Sequence, residues 1–189
     1  MSPFRQLYSL VIILSLFLLF PFPAGAKKKT AVETETSAPA DNPWYIGLGL
    51  GANAPISGWD ANYLLGGGGT LFAGVKLDDS FSLQLNLDYS SFAGGSTSLF
   101  DLRFFPVLRW NLGGGGLHPY FLAGPGYDLH SDTPSGYSTS ALAASVGAGL
   151  EYDLAKKDHL FLEARTELLF YQDVTLQDVP VTAGLRVDL

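Results

Sequence analysis

From Phe81 to Tyr89 the chain alternates without a break. Phe81, Leu83, Leu85, Leu87 and Tyr89 stand on one side, and Ser82, Gln84, Asn86 and Asp88 on the other. Successive residues of an extended chain point to opposite faces, so this segment is a strand with one oily and one polar wall. The same period of two recurs along the chain, giving eight segments at about residues 44–53, 68–77, 80–91, 99–110, 118–129, 142–154, 159–171 and 180–189. No long amphipathic helix interrupts them, and 22 glycines favour an all-β chain.

The first 26 residues form a separate object. Arg5 supplies a positive start, residues 7–22 are apolar, and Ala24-Gly25-Ala26 is a small-residue cleavage site, so a signal peptide is expected, with cleavage before Lys27. A retained membrane anchor is the alternative, but the apolar run of residues 10–20, interrupted only by Ser15, is short against the roughly 20 residues a spanning helix needs. Residues 27–42 open with Lys27-Lys28-Lys29 and continue with Thr, Ala, Glu and Pro, a flexible periplasmic segment with nothing to bury. One domain is expected from residue 43 to 189. There is no cysteine, which excludes disulfides and a lipoprotein attachment. The formal charge of −7 falls to −8 once Arg5 is removed with the leader. That balance argues against nucleic acid, whose phosphates need clustered Lys and Arg.

Periodicity does not say which wall faces inward; volume does. The lumen of an eight-stranded barrel is only just wide enough for side chains to fill. The oily wall carries three or more large residues on most strands, whereas the other alternates glycine with bulky or charged groups. The expected fold is therefore an eight-stranded antiparallel up-and-down transmembrane β-barrel, oily side out, closed by pairing of the first and eighth strands. With both termini periplasmic, Trp44, Phe81, Trp110, Phe121 and Tyr152 fall near one rim of the outer wall, and Tyr89, Phe100, Tyr127 and Phe170 near the other. Two such aromatic girdles suit the two membrane interfaces. Periplasmic links are short and outer links longer, chiefly residues 54–67 and 130–140. Pro106 and Pro125 remove backbone donors inside predicted strands and demand a bulge or a local break.

Three phrases, PYFLAGPGY at residues 119–127, GAGLEYDLAKKD at 147–158 and Leu162-Glu163-Ala164-Arg165, resemble those of small eight-stranded outer-membrane proteins of the OmpA, OmpX and OmpW type. The resemblance covers the whole domain and implies fold and location rather than activity, since that group holds structural barrels, adhesion proteins and narrow pores. It also implies a last-strand signal for the barrel-assembly machinery, offered here by Thr182, Gly184, Val187 and Leu189, with leucine where a terminal phenylalanine is usual. No peptidoglycan-binding domain of the OmpA type is expected to follow.

The inward wall holds Lys76, Asp88, Asp101, Arg103, Arg109, Glu151, Asp153, Glu163, Arg165, Glu167, Arg186 and Asp188. Strand parity and short turns place Glu151 beside Glu163, Arg165 and Arg186 on neighbouring rungs, Glu167 above, and Asp88 near Arg103. Paired charges that plug the interior are the expected role, with a partner-swapping ion gate as the alternative. Catalysis is not expected. Of His118, His130 and His159, only His130 has Ser and Asp neighbours, in Ser131 and Asp132, and consecutive residues point apart. His118 and His159 read as solvated turn residues. No metal or cofactor site is expected, and residues 113–116 lack the Lys-Ser/Thr of a phosphate loop.

These features imply a non-enzymatic outer-membrane barrel with a structural or surface-interaction role, its first outer loop offering Trp59, Tyr63, Leu64 and Leu65 for contact or as a hydrophobic cap. A narrow passive channel is the alternative, and a lipid-modifying enzyme a third. The expected partners are membrane lipid, lipopolysaccharide and the assembly machinery, with the barrel monomeric.

Overall fold

The structure is a computed structural model that describes residues 42–57, 65–94, 97–113, 116–133 and 136–189. Eight antiparallel strands follow one another in space as in sequence: β1 (Trp44–Ser57), β2 (Gly66–Lys76), β3 (Phe81–Gly94), β4 (Thr97–Asn111), β5 (Leu117–Thr133), β6 (Ser138–Asp153), β7 (Asp158–Phe170) and β8 (Thr175–Asp188). The ring closes through a ladder running from Tyr45↔Asp188 to Ser57↔Gln177. Closure leaves no unpaired strand edge, the condition for a sheet that spans lipid. Among the described residues no helix is long and apolar enough to cross a membrane.

The two walls separate cleanly by exposure. Leu48, Leu50, Leu71, Leu83, Leu85, Leu142, Val146 and Leu162 lie outward and exposed, while Tyr45, Gln84, Asn86, Arg103 and Glu167 are buried within. A soluble fold has the reverse arrangement, so the oily wall needs an apolar solvent around it.

The strands outrun the sequence expectation at the rim opposite the termini. Of residues 130–140, expected as a loop, 130–133 and 138–140 instead continue the β5–β6 hairpin, with His130↔Thr139 and Ser131↔Ser138 paired. β8 likewise starts at Thr175 and contains Pro180 in its interior. Polar residues occupy both walls there, as in Ser138-Thr139-Ser140, and the alternation that marks a strand fades although the ladder goes on. At the other rim the turns are tight. Asp78 Oδ1 accepts hydrogen bonds from the Ser80 and Phe81 amides at 2.7 and 2.8 Å, which fixes the β2–β3 connection.

No bulge accommodates Pro106 and Pro125. The β4–β5 ladder lapses between Phe104↔Tyr127 and Leu108↔Ala123 and resumes in the same register, which sets the two prolines opposite each other. Their missing donors are thereby confined to a single rung.

Packing inside depends on bare backbone beside each large ring. A Cβ on Gly74 would stand 2.3 Å from the Tyr45 ring, and one on Gly149 the same distance from that of Tyr120. Gly184 meets backbone instead: its Cβ would lie 2.0 Å from the Leu48 carbonyl oxygen, at the closing β1–β8 seam. Gly184→Ala is accordingly expected to cost about 1–3 kcal/mol through overpacking. It should lower the fraction that refolds into the heat-modifiable form on a gel.

Candidate functional site: the charged lumen

The inward side chains stack in layers from the rim where β1 begins and β8 ends. The lowest layer is a belt. His118 Nε2 lies 2.8 Å from Asp153 Oδ2, and His159 Nδ1 lies 2.7 Å from Asp153 Oδ1. His159 Nε2 stands 3.6 Å from Asp188, which Lys76 Nζ meets at 2.5 Å. The belt joins β5, β6, β7 and β8, then reaches over β1 to β2. His118 and His159, expected to be solvated, are thus held by Asp153, His159 nearly buried and His118 still partly exposed.

Above the belt, Glu151 binds two cations. Arg109 Nη1 donates to its Oε1 at 2.7 Å, and Arg186 Nη1 lies 3.0 Å from its Oε2. Both guanidiniums rest on aromatic faces, Arg109 at 3.7 Å from the Tyr120 centroid and Arg186 at 5.0 Å from that of Tyr45. Glu151 is not beside Glu163. It pairs with Phe161, and Glu163 with Gly149, a slip of two residues that follows from where the β6–β7 turn closes. Phe161 joins Tyr45 and Phe72 in a buried aromatic cluster at this level.

The middle layer centres on Arg165. Its Nη1 donates to Asp88 Oδ2 at 2.9 Å, its Nε lies 3.2 Å from Glu163 Oε1, and Tyr120 Oη donates to Glu163 Oε2 at 2.8 Å. Asp88 does share a rung with Arg103, but its ion pair runs across the lumen to Arg165. A cavity of about 10 Å³ lies here, lined among others by Asp88, Arg165, Glu167 and Thr182. It has room for a single water.

The layer toward the far rim is built on Arg103, which is wholly buried. Its Nε donates to Asp128 Oδ1 at 3.1 Å and its Nη2 to Asp101 Oδ2 at 2.5 Å, while Nη1 donates to both Glu167 Oε2 at 2.6 Å and Asp178 Oδ2 at 2.7 Å. One fork serves four carboxylates, a geometry that lysine cannot reproduce. His130 points inward from β5 to Asp101 Oδ1 at 2.6 Å, and the Tyr171 hydroxyl donates to Asp128 Oδ2 at 2.5 Å. Burial, reinforced by Asp128, pushes the Tyr171 phenol well above its ordinary range, so it remains a donor.

Asp101, Asp128 and His130 bring ligand-type atoms within 4.8 Å of one another. Arg103 and Tyr171 already hold the two carboxylates, so the group is closed by protein donors. The neighbouring Ser131 is exposed on the outer wall, with the sheet between it and the imidazole, so no Ser-His-Asp relay forms.

Sequence reading missed Asp128, Asp178 and Tyr171. Asp128 continues the inward parity of Tyr120 and Leu122, and Tyr171, at the end of the seventh segment, continues that of Glu163, Arg165 and Glu167, so both carry a sequence signal; Asp178 lies before the expected start of the last segment. On the outer wall Phe81 stacks on Trp110 at 6.3 Å, Trp110 lies 6.2 Å from Phe121, and Tyr89 stacks on Phe100 at 6.3 Å. Trp44, Tyr127, Tyr152 and Phe170 are also exposed there. Thr182 is buried inward opposite Gly51, Gly184 lies against Gly49, and Val187 and Leu189 are exposed. Of the first outer loop's contact candidates, Trp59, Tyr63 and Leu64 lie outside the described residues, and Leu65 is exposed.

Removing Arg103 leaves four buried carboxylates without their common donor. Arg103→Ala is therefore expected to lose at least about 3–5 kcal/mol in denaturant unfolding, and Arg103→Lys to recover little of it.

Among solved structures the barrel is similar to Neisserial surface protein A, with a TM-score of 0.66 at 16% identity, over 80% of this chain and 100% of that one. It is similar also to Ail, the attachment invasion locus protein of Yersinia pestis, with a TM-score of 0.52 at 17% identity, over 77% of this chain and 99% of the other. The N-terminal β-barrel domain of Pseudomonas aeruginosa OprF gives 0.46 at 18% identity, over 75% of this chain and 96% of that chain. At such identities the first two likenesses establish the fold alone. No curated protein matches the chain. The family model described as the outer membrane protein beta-barrel domain matches residues 12–186.

Proposed function

We propose that this chain, which belongs to the outer membrane protein β-barrel family, is a non-enzymatic barrel with a charge-plugged lumen whose role is structural or one of surface interaction. Membership of the family implies a bacterial outer membrane. The observation that carries the plugged reading is the Arg103 layer, where five fully or almost fully buried side chains from β4, β5, β7 and β8 meet across the bore. With the bore filled, what the protein offers its surroundings is the oily wall and the outer loops.

Export through a cleaved leader and recognition of Thr182, Gly184, Val187 and Leu189 by the assembly machinery belong to the same reading, as do a monomeric state and lipid and lipopolysaccharide as surroundings. The aromatic girdle residues would then sit at the two membrane interfaces.

A narrow solute channel is the competing function, and planar-bilayer recording separates the two. The plugged barrel is expected to give no stepwise current. Arg165→Ala should lower stability by about 3–5 kcal/mol while leaving conductance unchanged, because the vacated carboxylates stay buried. Steady currents with unaltered unfolding would favour the channel.

A further inference from the structure

The charges in the lumen do not balance from end to end. Toward the rim with the termini, Lys76, Arg109 and Arg186 face Glu151, Asp153 and Asp188. In the other half, six carboxylates face two guanidiniums: Asp88 from β3, Asp101 from β4, Asp128 from β5, Glu163 and Glu167 from β7 and Asp178 from β8, against Arg103 and Arg165. His130 from β5 adds at most one positive charge, Tyr120 and Tyr171 add hydroxyl donors, and Asp132 stands at the rim with a further negative charge. Every one of the six carboxylates is buried. Burying unpaired charge is costly enough that such groups neutralise instead.

The geometry singles out where. Glu167 and Asp178 are direct cross-strand partners. Each spends one oxygen on the same nitrogen, Arg103 Nη1. Among the described residues, Glu167 Oε1 and Asp178 Oδ1 find no hydrogen-bond donor, and Arg165 Nη2 stands 3.5 Å from Glu167 Oε1. Two carboxylates converging on one donor cannot both ionise cheaply, and one proton held between them relieves the repulsion.

We propose that Glu167 and Asp178 share one proton at neutral pH, which makes the outer half of the lumen a pH-sensitive catch that holds in acid and loosens in alkali. The proposal rests on the plugged reading of the lumen and names what regulates the plug. Linkage gives its sign: the folded barrel keeps a proton that the unfolded chain has already released, so stability is greatest at low pH and falls as pH rises. One proton corresponds to a slope approaching about tenfold in the folded-to-unfolded ratio per pH unit.

The test uses the full-length barrel refolded in lipid bilayers, with urea unfolding measured from pH 6 to pH 9. Glu167→Gln places an amide donor where the shared proton would be. Its advantage over the unsubstituted barrel should widen steadily from pH 6 to pH 9, with the tenfold slope removed; Asp178→Asn should do the same. Infrared spectra at pH 7 should show a protonated-carboxyl carbonyl stretch that both substitutions abolish. A Glu167→Gln barrel weaker by one constant amount at every pH overturns the proposal. So does a carboxyl band that is missing from the unsubstituted barrel, a result that stands even if neither variant folds. The current recordings test the plug itself, and their outcome leaves the infrared result unaffected.

Discussion

Eight strands make a narrow ring, and everything else in this molecule answers to that circumference. A sheet in lipid must pair all its backbone groups and so must close. With only eight strands the enclosed cylinder holds little more than one layer of side chains. Each broad group pointing inward therefore needs a neighbour that points nothing inward. Tyr45 lies over Gly74, Tyr120 over Gly149 and the Phe72 ring against Gly47. The glycines that looked like a compositional excess are the negative image of the aromatic rings.

The same narrowness explains why the interior is ionic. The oily residues are drawn to the surrounding hydrocarbon, which leaves the polar half of each strand to solvate itself. Arginine suits that task because its fork spreads one charge over several acceptors in fixed directions. Arg109, Arg165 and Arg186 each face both a carboxylate and an aromatic ring. Arg103 has carboxylates on all sides. It draws together side chains whose strands are far apart around the wall, which no single hairpin contact could do.

Legibility in the sequence followed the range of the interaction. A period of two is a property of neighbours, so the strand count, the oily wall and the inward parity of residues such as Arg103 and Glu163 could be read directly. Partner choice crosses the diameter of the barrel and needs the register of every intervening strand. Asp88 was thus set near Arg103 along its rung, although its charge is met by Arg165 from the opposite wall. The proline pair was illegible for a related reason: that Pro106 stands opposite Pro125 is a fact about two strands at once. At the far rim the limit was chemical, because polar residues on both walls erase the pattern while the hydrogen bonds persist.

Asp188 rivets the seam of the closed cylinder. It is the final residue of the final strand, and its carboxylate receives Lys76 from β2 across the back of β1. A tie spanning the junction in this way cannot exist in a nascent hairpin or in a half-built arc. It requires β8 to lie against β1 in the register that sets Asp188 opposite Tyr45, and a strand shifted one step along the seam would leave this fastening undone.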